Sequence, residues 1–304
     1  MSTASGHPLL VSGGDADPNL RAFLAAARRR DQPVFPLLIG KDSHPAIVWE
    51  VDSGRLFVDG ERLECGAAFI RHDVFTALGD GQPSSQYRAL AWYTALTGWL
   101  AARPEIAIFN RRCLNQLTNK PLMLHLAQAV GLAIPQTVTT NDFLYLDKYE
   151  GEHGLIVKPI NGGGYCQDFR EVANETEIKD GRAAAPAIVQ HRLVPPEVRI
   201  YAIAQRYFAF RIISNELDYR ATRDCRVEYM AEFSDALVSN LGCLLDLIGL
   251  DFAAADFKTC PRSSQLMFLE VNTAPMFAVF DQASEGRLCD AMLTALTDKC
   301  TQRE

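Results

Sequence analysis

The chain has 304 residues, of which 48% are apolar, so it can bury a sizeable core and is long enough for two or three domains. Its 37 acidic and 30 basic residues give a net charge of −7, which leaves no broad basic field for nucleic acid. No apolar run approaches the ~20 residues of a membrane-spanning helix. The eight cysteines are scattered singly, without the CxxC pairs of zinc sites. These features favour a reduced, cytoplasmic protein without a nucleic-acid or membrane partner.

The first third of the sequence predicts a small α/β domain. His7–Ser12 and Val34–Ile39 are typical of strands, and Pro18–Arg30 between them has apolar residues at helical spacing. This strand–helix–strand order is how a doubly wound α/β domain begins. His72 follows a predicted strand end, where open α/β sheets bind ligands, although such a histidine is more often structural. The other elements predicted in this region are Pro45–Val51, Arg55–Val58 and Ala67–Arg71 as strands and Gln86–Ala102 as a helix.

A run of three glycines follows a predicted strand in the middle of the chain. Lys120–Val130 is a predicted helix, and the predicted strand Leu155–Lys158 leads towards Gly162, Gly163 and Gly164. Successive glycines let backbone N–H groups approach phosphates closely, and Lys158 carries an ammonium group to the same place. A flexible hairpin tip is the alternative explanation. Cys166 adjoins the run but has no base near it in the sequence, so we treat it as incidental.

The next passage predicts a strand at Pro186–Gln190 and then two antiparallel strands around a turn at Gln205-Arg206. Charged residues interrupt the apolar alternation of this pair where a groove would lie, namely Glu197, Arg199 and Arg211. A guanidinium group matches planar oxyanions in bidentate fashion, so these arginines are candidates for anion binding. A solvated salt bridge is the alternative, for Arg211 above all. Helices are predicted at Ser234–Ile248 and Ser284–Thr297.

Two short apolar runs near the end of the chain, Phe252–Phe257 and Leu266–Val271, predict a pair of strands that carry hard oxygen ligands. Glu270 and Asn272 are two residues apart and can share a face, and Asp256 can join them if the strands pair antiparallel. Two carboxylates and an amide oxygen suit Mg²⁺. Strand-end acids that face solvent are the alternative.

Five passages occur in an order that resembles the ATP-grasp superfamily: NKPLMLHLAQAVGLAIPQTVTTND, IVKPINGGGY, IVQHRLVPPEVRIYAI, LDYR and GLDFAAADF…FLEVNTAP. Within it the chain resembles the ribosomal-protein glutamate ligases and the microviridin-type peptide macrocycle ligases, over about residues 110–295. The former usually read QE where this chain has Gln190-His191, and the latter usually lack a clear glycine loop. The resemblance therefore leaves the subgroup open.

The resemblance implies the ATP-grasp fold, of α/β and α+β class, with ATP and one or two Mg²⁺ between two lobes. It implies a small α/β domain at 1–110, a central subdomain with the glycine loop at 111–187 and a C-terminal subdomain with the metal site at 188–304. The residues that would contact ATP are Lys120, Lys158, Gly162, Gly163, Gly164, Gln190, Arg192, Leu193, Val194 and Glu197. Mg²⁺ would be held by Asp256, Glu270 and Asn272, and the catalytic arginines would be Arg199, Arg220 and Arg211.

The function that the resemblance implies is an ATP-dependent carboxylate–amine ligase that forms an acylphosphate on an amino acid or peptide. The alternatives are a small-molecule kinase of the same fold, an ester- or amide-forming peptide macrocyclase, and a nucleotide-binding regulatory module without turnover. The substrates and the state of oligomerisation stay open at this point.

Overall fold

The computed structural model describes residues 7–40, 45–75, 81–113, 119–146, 149, 154–160, 164–214, 216–218 and 225–301. The chain forms two compact units: residues 1–115, 249–252 and 274–304 make the first, and residues 116–248 and 253–273 make the second. Within the described ranges, every helix is too short or too polar to cross a membrane.

The first unit is built on a parallel sheet of three strands in the order β2-β1-β6. Helix α1 begins at Pro18, and the carboxylate of its N-cap residue Asp17 accepts the Asn19 N–H at 2.7 Å. Three short strands, β3, β4 and β5, form a separate antiparallel sheet. The elements of this unit are β1 (Leu9–Gly14), α1 (Pro18–Arg29), β2 (Val34–Ile39), β3 (Ile47–Glu50), β4 (Arg55–Val58), β5 (Glu61–Arg62), β6 (Ala67–Ile70), α2 (Pro83–Ala101), α7 (Ala278–Ala283) and α8 (Arg287–Thr301).

Two groups of buried side chains hold the first unit together. One cluster contains Leu10 of the parallel sheet, Leu56 of the small sheet and Trp99 of α2. The other is aromatic: the ring of Phe69 lies 6.0 Å from that of Phe252 and 6.1 Å from that of Phe277. These contacts join the segments 249–252 and 274–304 to the N-terminal sheet. The resulting unit differs from the predicted division at 110 and 187.

The second unit contains two antiparallel sheets. One has four strands in the order β7-β10-β8-β9, and the other has five in the order β13-β12-β11-β14-β15. The predicted boundary at residue 187 would cut through β10. The elements of this unit are α3 (Lys120–Ala129), β7 (Thr137–Asp142), α4 (Phe143–Leu146), β8 (Leu155–Lys158), β9 (Gln167–Asp168), α5 (Phe169–Glu175), β10 (Arg182–His191), β11 (Val194–Ile203), β12 (Arg206–Ile213), β13 (Arg226–Met230), α6 (Asp235–Ile248), β14 (Phe252–Thr259, its first residue in the other unit) and β15 (Leu266–Asn272).

A β-bulge sets the register between β14 and β15. Phe257 pairs with Phe268, whereas the preceding residue, Asp256, pairs with Glu270, so Leu269 is the extra residue on β15. A bulge interrupts the alternation of side chains and re-aims the residues that follow it. Here Phe268 can face Phe257 in the core while Glu270 faces Asp256.

Candidate functional site

One face of the five-stranded sheet carries two buried ion pairs side by side. Arg199 of β11 donates from Nε and Nη2 to the two carboxylate oxygens of Asp256 on β14, at 2.6 and 2.7 Å. A second pair lies on the same two strands, two residues before Arg199 and two residues after Asp256: Lys258 Nζ is 3.2 Å from Glu197 Oε2. The four side chains are between 6% and 13% exposed. Alternation along each strand therefore places two cations and two carboxylates on one sheet face.

Burial is the main influence on the pKa of Glu197. Loss of solvation raises the pKa of its carboxyl group, and this outweighs the opposing effect of the Lys258 ammonium. The nearby Asp256 carboxylate raises the pKa further, because two like charges disfavour ionisation.

Strand β15 adds a second carboxylate and an amide beside Asp256. Glu270 is the cross-strand partner of Asp256, and Asn272 donates from Nδ2 to Asp256 Oδ2 at 3.0 Å. Lys120, the first residue of α3, lies 3.7 Å from Glu270 Oε2 through its Nζ. Like charges directly opposite each other destabilise a sheet. Cations at Arg199 and Lys120 offset that repulsion.

The four-stranded sheet contributes a lysine and a buried amide. Lys158 ends β8 and has no ion-pair partner among the residues that the structure describes. Gln190 pairs with Ile156 of β8, so the two side chains share a face. Gln190 is 1% exposed and donates from Nε2 to Thr137 Oγ1 at 2.9 Å. Its Oε1 is buried without a hydrogen-bond partner in the described part of the chain, so it is an acceptor ready for a ligand's N–H group.

The charged side chains described above line an open pocket that lies wholly in the second unit and measures about 680 Å³ with the solvent at its mouth included. Gln190 and Asn272 are not among its lining residues. Its charged residues are four cations and four carboxylates. The lining residues are Lys120, Ile156, Lys158, Gly164, Cys166, Leu193, Glu197, Arg199, Leu217, Asp218, Asp256, Lys258, Leu269 and Glu270. The mixture of charges suits a polyanion that binds together with a divalent cation.

Eight of the thirteen predicted site residues that the structure describes come together at this pocket. Those that line it are Lys120, Lys158, Gly164, Leu193, Glu197, Arg199, Asp256 and Glu270. Asn272 contacts Asp256, Gln190 shares a sheet face with Ile156, and Val194 begins β11. Gly162, Gly163 and Arg220 lie outside the described residues.

Two predicted site residues are placed elsewhere. Arg211 pairs with Val198, whereas Arg199 pairs with Phe210, so Arg211 belongs to the sheet face opposite Arg199 and is exposed. The expectation that it joins Arg199 is not met, because alternation along β12 turns it away. Arg192 is exposed, lies 3.4 Å from the Asp168 carboxylate and already donates its N–H to Gly154. Its backbone N–H is therefore already bonded within the protein rather than available to ATP.

Lys258 and Asp218 also line the pocket, although neither is among the residues predicted from the sequence. Lys258 lies two residues after Asp256, so alternation along the strand places both on one face, but an ammonium group is not a metal ligand. Asp218 is 9% exposed and accepts the N–H of Cys166 at 3.2 Å, a contact that no local pattern predicts. His72 belongs to the first unit, where its ring lies edge-on to Tyr93 at 5.5 Å. His191 lies edge-on to Tyr149 at 6.3 Å.

The donor set fits a nucleotide with Mg²⁺. Asp256 and Glu270 present two carboxylates on adjacent strands with the Asn272 amide beside them, and hard oxygen donors of this kind suit Mg²⁺. Lys120 and Lys158 line the same pocket and can neutralise phosphates. The orphaned Gln190 Oε1 can accept from the amino group of a purine.

The architecture of the chain is the ATP-grasp fold. The ATP-grasp ligase PsnB complexed with minimal precursor matches with a TM-score of 0.73 at 23% identity, over 95% of this chain and 98% of that one. The macrocyclase MdnC bound with precursor peptide MdnA, from Microcystis aeruginosa MRC, matches with a TM-score of 0.71 at 17% identity, over 95% and 99% of the two chains.

A ligase that acts on amino acids has the same fold. The VanG D-Ala:D-Ser ligase from Enterococcus faecalis matches with a TM-score of 0.66 at 15% identity, over 97% of this chain and 100% of that one. No protein-family model and no curated protein matches the sequence. The predicted fold class and the structural resemblance to peptide macrocycle ligases are thus confirmed.

Proposed function

We propose that this protein is an ATP-dependent carboxylate–amine ligase that acts on a peptide. The observation that carries the proposal is the pocket of the second unit, where two lysines, a bidentate Arg–Asp pair and a cross-strand pair of carboxylates converge in an ATP-grasp fold. PsnB complexed with minimal precursor, Mg and ADP supports the choice of nucleotide and metal.

The role proposed for each predicted site residue follows from its chemistry. Lys120 and Lys158 bind the phosphates, since both ammonium groups line the pocket and Lys158 has no carboxylate partner among the described residues. Gln190 accepts from the adenine amino group through its unpartnered Oε1. Glu197 accepts from a ribose hydroxyl. Asp256, Glu270 and Asn272 would hold Mg²⁺, which would neutralise phosphate charge when bound.

The reaction needs positioning and charge neutralisation rather than an enzyme nucleophile. A carboxylate oxygen of the substrate attacks the γ-phosphorus of ATP, the bond to the β-phosphate oxygen breaks, and ADP leaves. An amine nitrogen then attacks the carbonyl carbon of the acylphosphate, inorganic phosphate leaves, and the nitrogen loses a proton. Arg199 stabilises the oxyanions of both steps, because its guanidinium faces the pocket and is already held in plane by Asp256. We propose Arg220 as a second arginine that binds these oxyanions.

A peptide is the substrate class best supported. MdnC is bound with a precursor peptide and is a macrocyclase, and PsnB is complexed with a precursor. A second candidate function follows from the same comparison: the acid and the nucleophile belong to one peptide, and an amide or ester ring is formed. The VanG comparison keeps free amino acids as an alternative substrate.

The experiment uses purified protein with ATP, Mg²⁺ and a panel of peptides and amino acids, some with both an acid and an amine or hydroxyl. ADP release that requires both groups, together with loss of one water from the peptide mass, is the expected result. Phosphate found on a small molecule without condensation would instead indicate a kinase. Mg²⁺-dependent ATP binding without any turnover would indicate a regulatory module.

We also infer a cytoplasmic location, without a nucleic-acid partner. All eight cysteines are free thiols, and the reaction needs a compartment that supplies ATP. Fractionation of cells that express the protein tests the location. Self-association stays open, and the sedimentation of the purified protein would reveal it.

A further inference from the structure

Lys258 makes two contacts that join different parts of the pocket. Its Nζ lies 3.2 Å from the Glu197 carboxylate and donates to the backbone carbonyl of Leu217 at 3.0 Å. The lysine side chain is 9% exposed. A buried ammonium group needs such partners, because an unpaired charge in this position would cost several kcal/mol.

The segment 216–218 connects Lys258 to the residues that follow the glycine run. Asp218, next to Leu217, accepts the backbone N–H of Cys166 at 3.2 Å. Cys166 lies two residues after Gly164, and all of these residues line the pocket. A chain of contacts therefore runs from β14 through Lys258, Leu217 and Asp218 to Cys166. We call these four residues the Lys258 clamp.

We propose that Lys258 is a positioning residue that holds the end of the glycine run in place through this clamp, so that the phosphates of a nucleotide meet a preformed wall. The effect on the nucleotide rests on the proposed function, but the effect on the backbone of Cys166 does not. Lys258 itself does not need to touch the nucleotide, because it acts through its contacts with the Glu197 carboxylate and the Leu217 carbonyl.

The backbone part is tested by hydrogen exchange in the protein without nucleotide. The Lys258→Met variant keeps the apolar stem but removes both contacts. A hydrogen bond to a charged group contributes roughly 1.5–3 kcal/mol, so the amide of Cys166 should exchange about ten- to a hundredfold faster. Asp218→Ala removes the acceptor directly and should give the same increase. Because both variants break the same chain of contacts, the double variant should exchange the Cys166 amide little faster than either single variant.

Lys299 provides a matched control in the first unit. It also contacts one carboxylate, that of Asp251, and one backbone carbonyl, that of Ile108. Lys299→Met therefore loses the same kinds of contact without touching the clamp. We expect it to lower the free energy of unfolding while leaving Cys166 exchange and ATP affinity at wild-type values.

The nucleotide part is tested by separating binding from turnover. In Lys258→Met the KM for ATP should rise about tenfold, with kcat within about threefold of wild type, since the groups that contact the reacting atoms remain. Lys258→Arg, which retains the charge and can reach both acceptors, should recover most of the affinity.

Unchanged exchange at Cys166 in both Lys258→Met and Asp218→Ala would overturn the proposal, whether or not the wild-type protein binds ATP. Faster exchange in a protein that shows no ATP turnover would support the clamp and count against the proposed function. Faster exchange with an unaltered KM for ATP would overturn the nucleotide part of the proposal.

Discussion

Each unit of the molecule contains a buried arginine–aspartate pair, and the two pairs are alike in closest distance and in burial, although only the Arg199–Asp256 pair is bidentate. In the first unit, Arg71 Nε donates to Asp17 Oδ2 at 2.8 Å, and the side chains are 4% and 1% exposed. In the second unit, Arg199 and Asp256 meet at 2.6 Å with side chains 8% and 6% exposed. Neither the distance nor the burial distinguishes a structural pair from a functional one.

The surroundings of the two pairs do distinguish them. Arg71 also donates to the Pro275 carbonyl at 2.9 Å and lies over the Phe277 ring, and Asp17 caps α1. These partners are parts of the fold, although Arg71 borders a smaller cavity of about 340 Å³. Arg199 and Asp256 instead line a pocket with other charged side chains that can exchange partners. Contacts with the backbone and with core rings hold the Arg71 guanidinium in one place. The Arg199 guanidinium contacts side chains that line a pocket, so it can also bind a ligand there.

The largest expected effect comes from the aspartates. Asp256→Asn should lower turnover by about a thousandfold or more, since one oxygen ligand of the metal loses its charge. Asp17→Asn should lower the free energy of unfolding and leave turnover of the folded protein close to wild type. ADP release and urea unfolding measure the two effects. Near-wild-type turnover in Asp256→Asn would contradict the metal assignment.

Substitution of the two arginines should affect the free energy of unfolding to different extents. Arg71→Met leaves a carboxylate buried in the core, so the free energy of unfolding should fall by about 3–5 kcal/mol. Arg199→Met should cost less, because water and cations can reach Asp256 through the pocket. Adding Mg²⁺ should restore part of the loss in Arg199→Met and none in Arg71→Met. Equal responses to Mg²⁺ in thermal unfolding would remove the distinction between the pairs.

The comparison extends to lysines. Lys158→Ala should weaken ATP binding about tenfold, because a charge-assisted contact to phosphate is lost from the pocket. Lys179→Ala removes a lysine that does not line the pocket and should leave the affinity unchanged. Calorimetry with ATP and Mg²⁺ measures both. An unaltered Kd in Lys158→Ala would count against its role.

The smallest effect concerns pH. Burial raises the pKa of Glu197 above its ordinary value of 4.5. Between 4.5 and this raised pKa, the unfolded chain has lost the proton that the folded protein keeps, so the folded state loses stability as pH rises. Relative to Glu197→Gln, the wild-type protein should therefore be most stable below pH 4.5 and decline above it. If the difference in free energy of unfolding between the wild-type protein and Glu197→Gln does not change with pH across this range, the pKa of Glu197 is not raised.

The fold was predictable from the sequence where local patterns decide structure. The helix predicted at Pro18–Arg30 is observed at Pro18–Arg29, and the strand predicted at Leu155–Lys158 is observed with the same bounds. The helix predicted at Ser284–Thr297 is observed at Arg287–Thr301, and it begins three residues later because Glu285 and Gly286 have positive φ angles of 56° and 87°. The short helix at Ala278–Ala283 was not predicted. Strands β7, β9 and β13 were not predicted, since their polar sequences gain order from pairing with a neighbour.

Alternation and residue type alone determined which side chains share a strand face, and the candidate ligands Asp256, Glu270 and Asn272 were found in that way. Only the tertiary structure decided which strands lie side by side. The extra residue Leu269 in β15 brings Glu270 opposite Asp256, and the pairing of β12 with β11 turns Arg211 away from Arg199. Register depends on contacts between residues far apart in the chain, and a shift of one residue reverses every face. For that reason no local pattern could reveal the Lys258–Glu197 pair or the contact of Asp218 with Cys166.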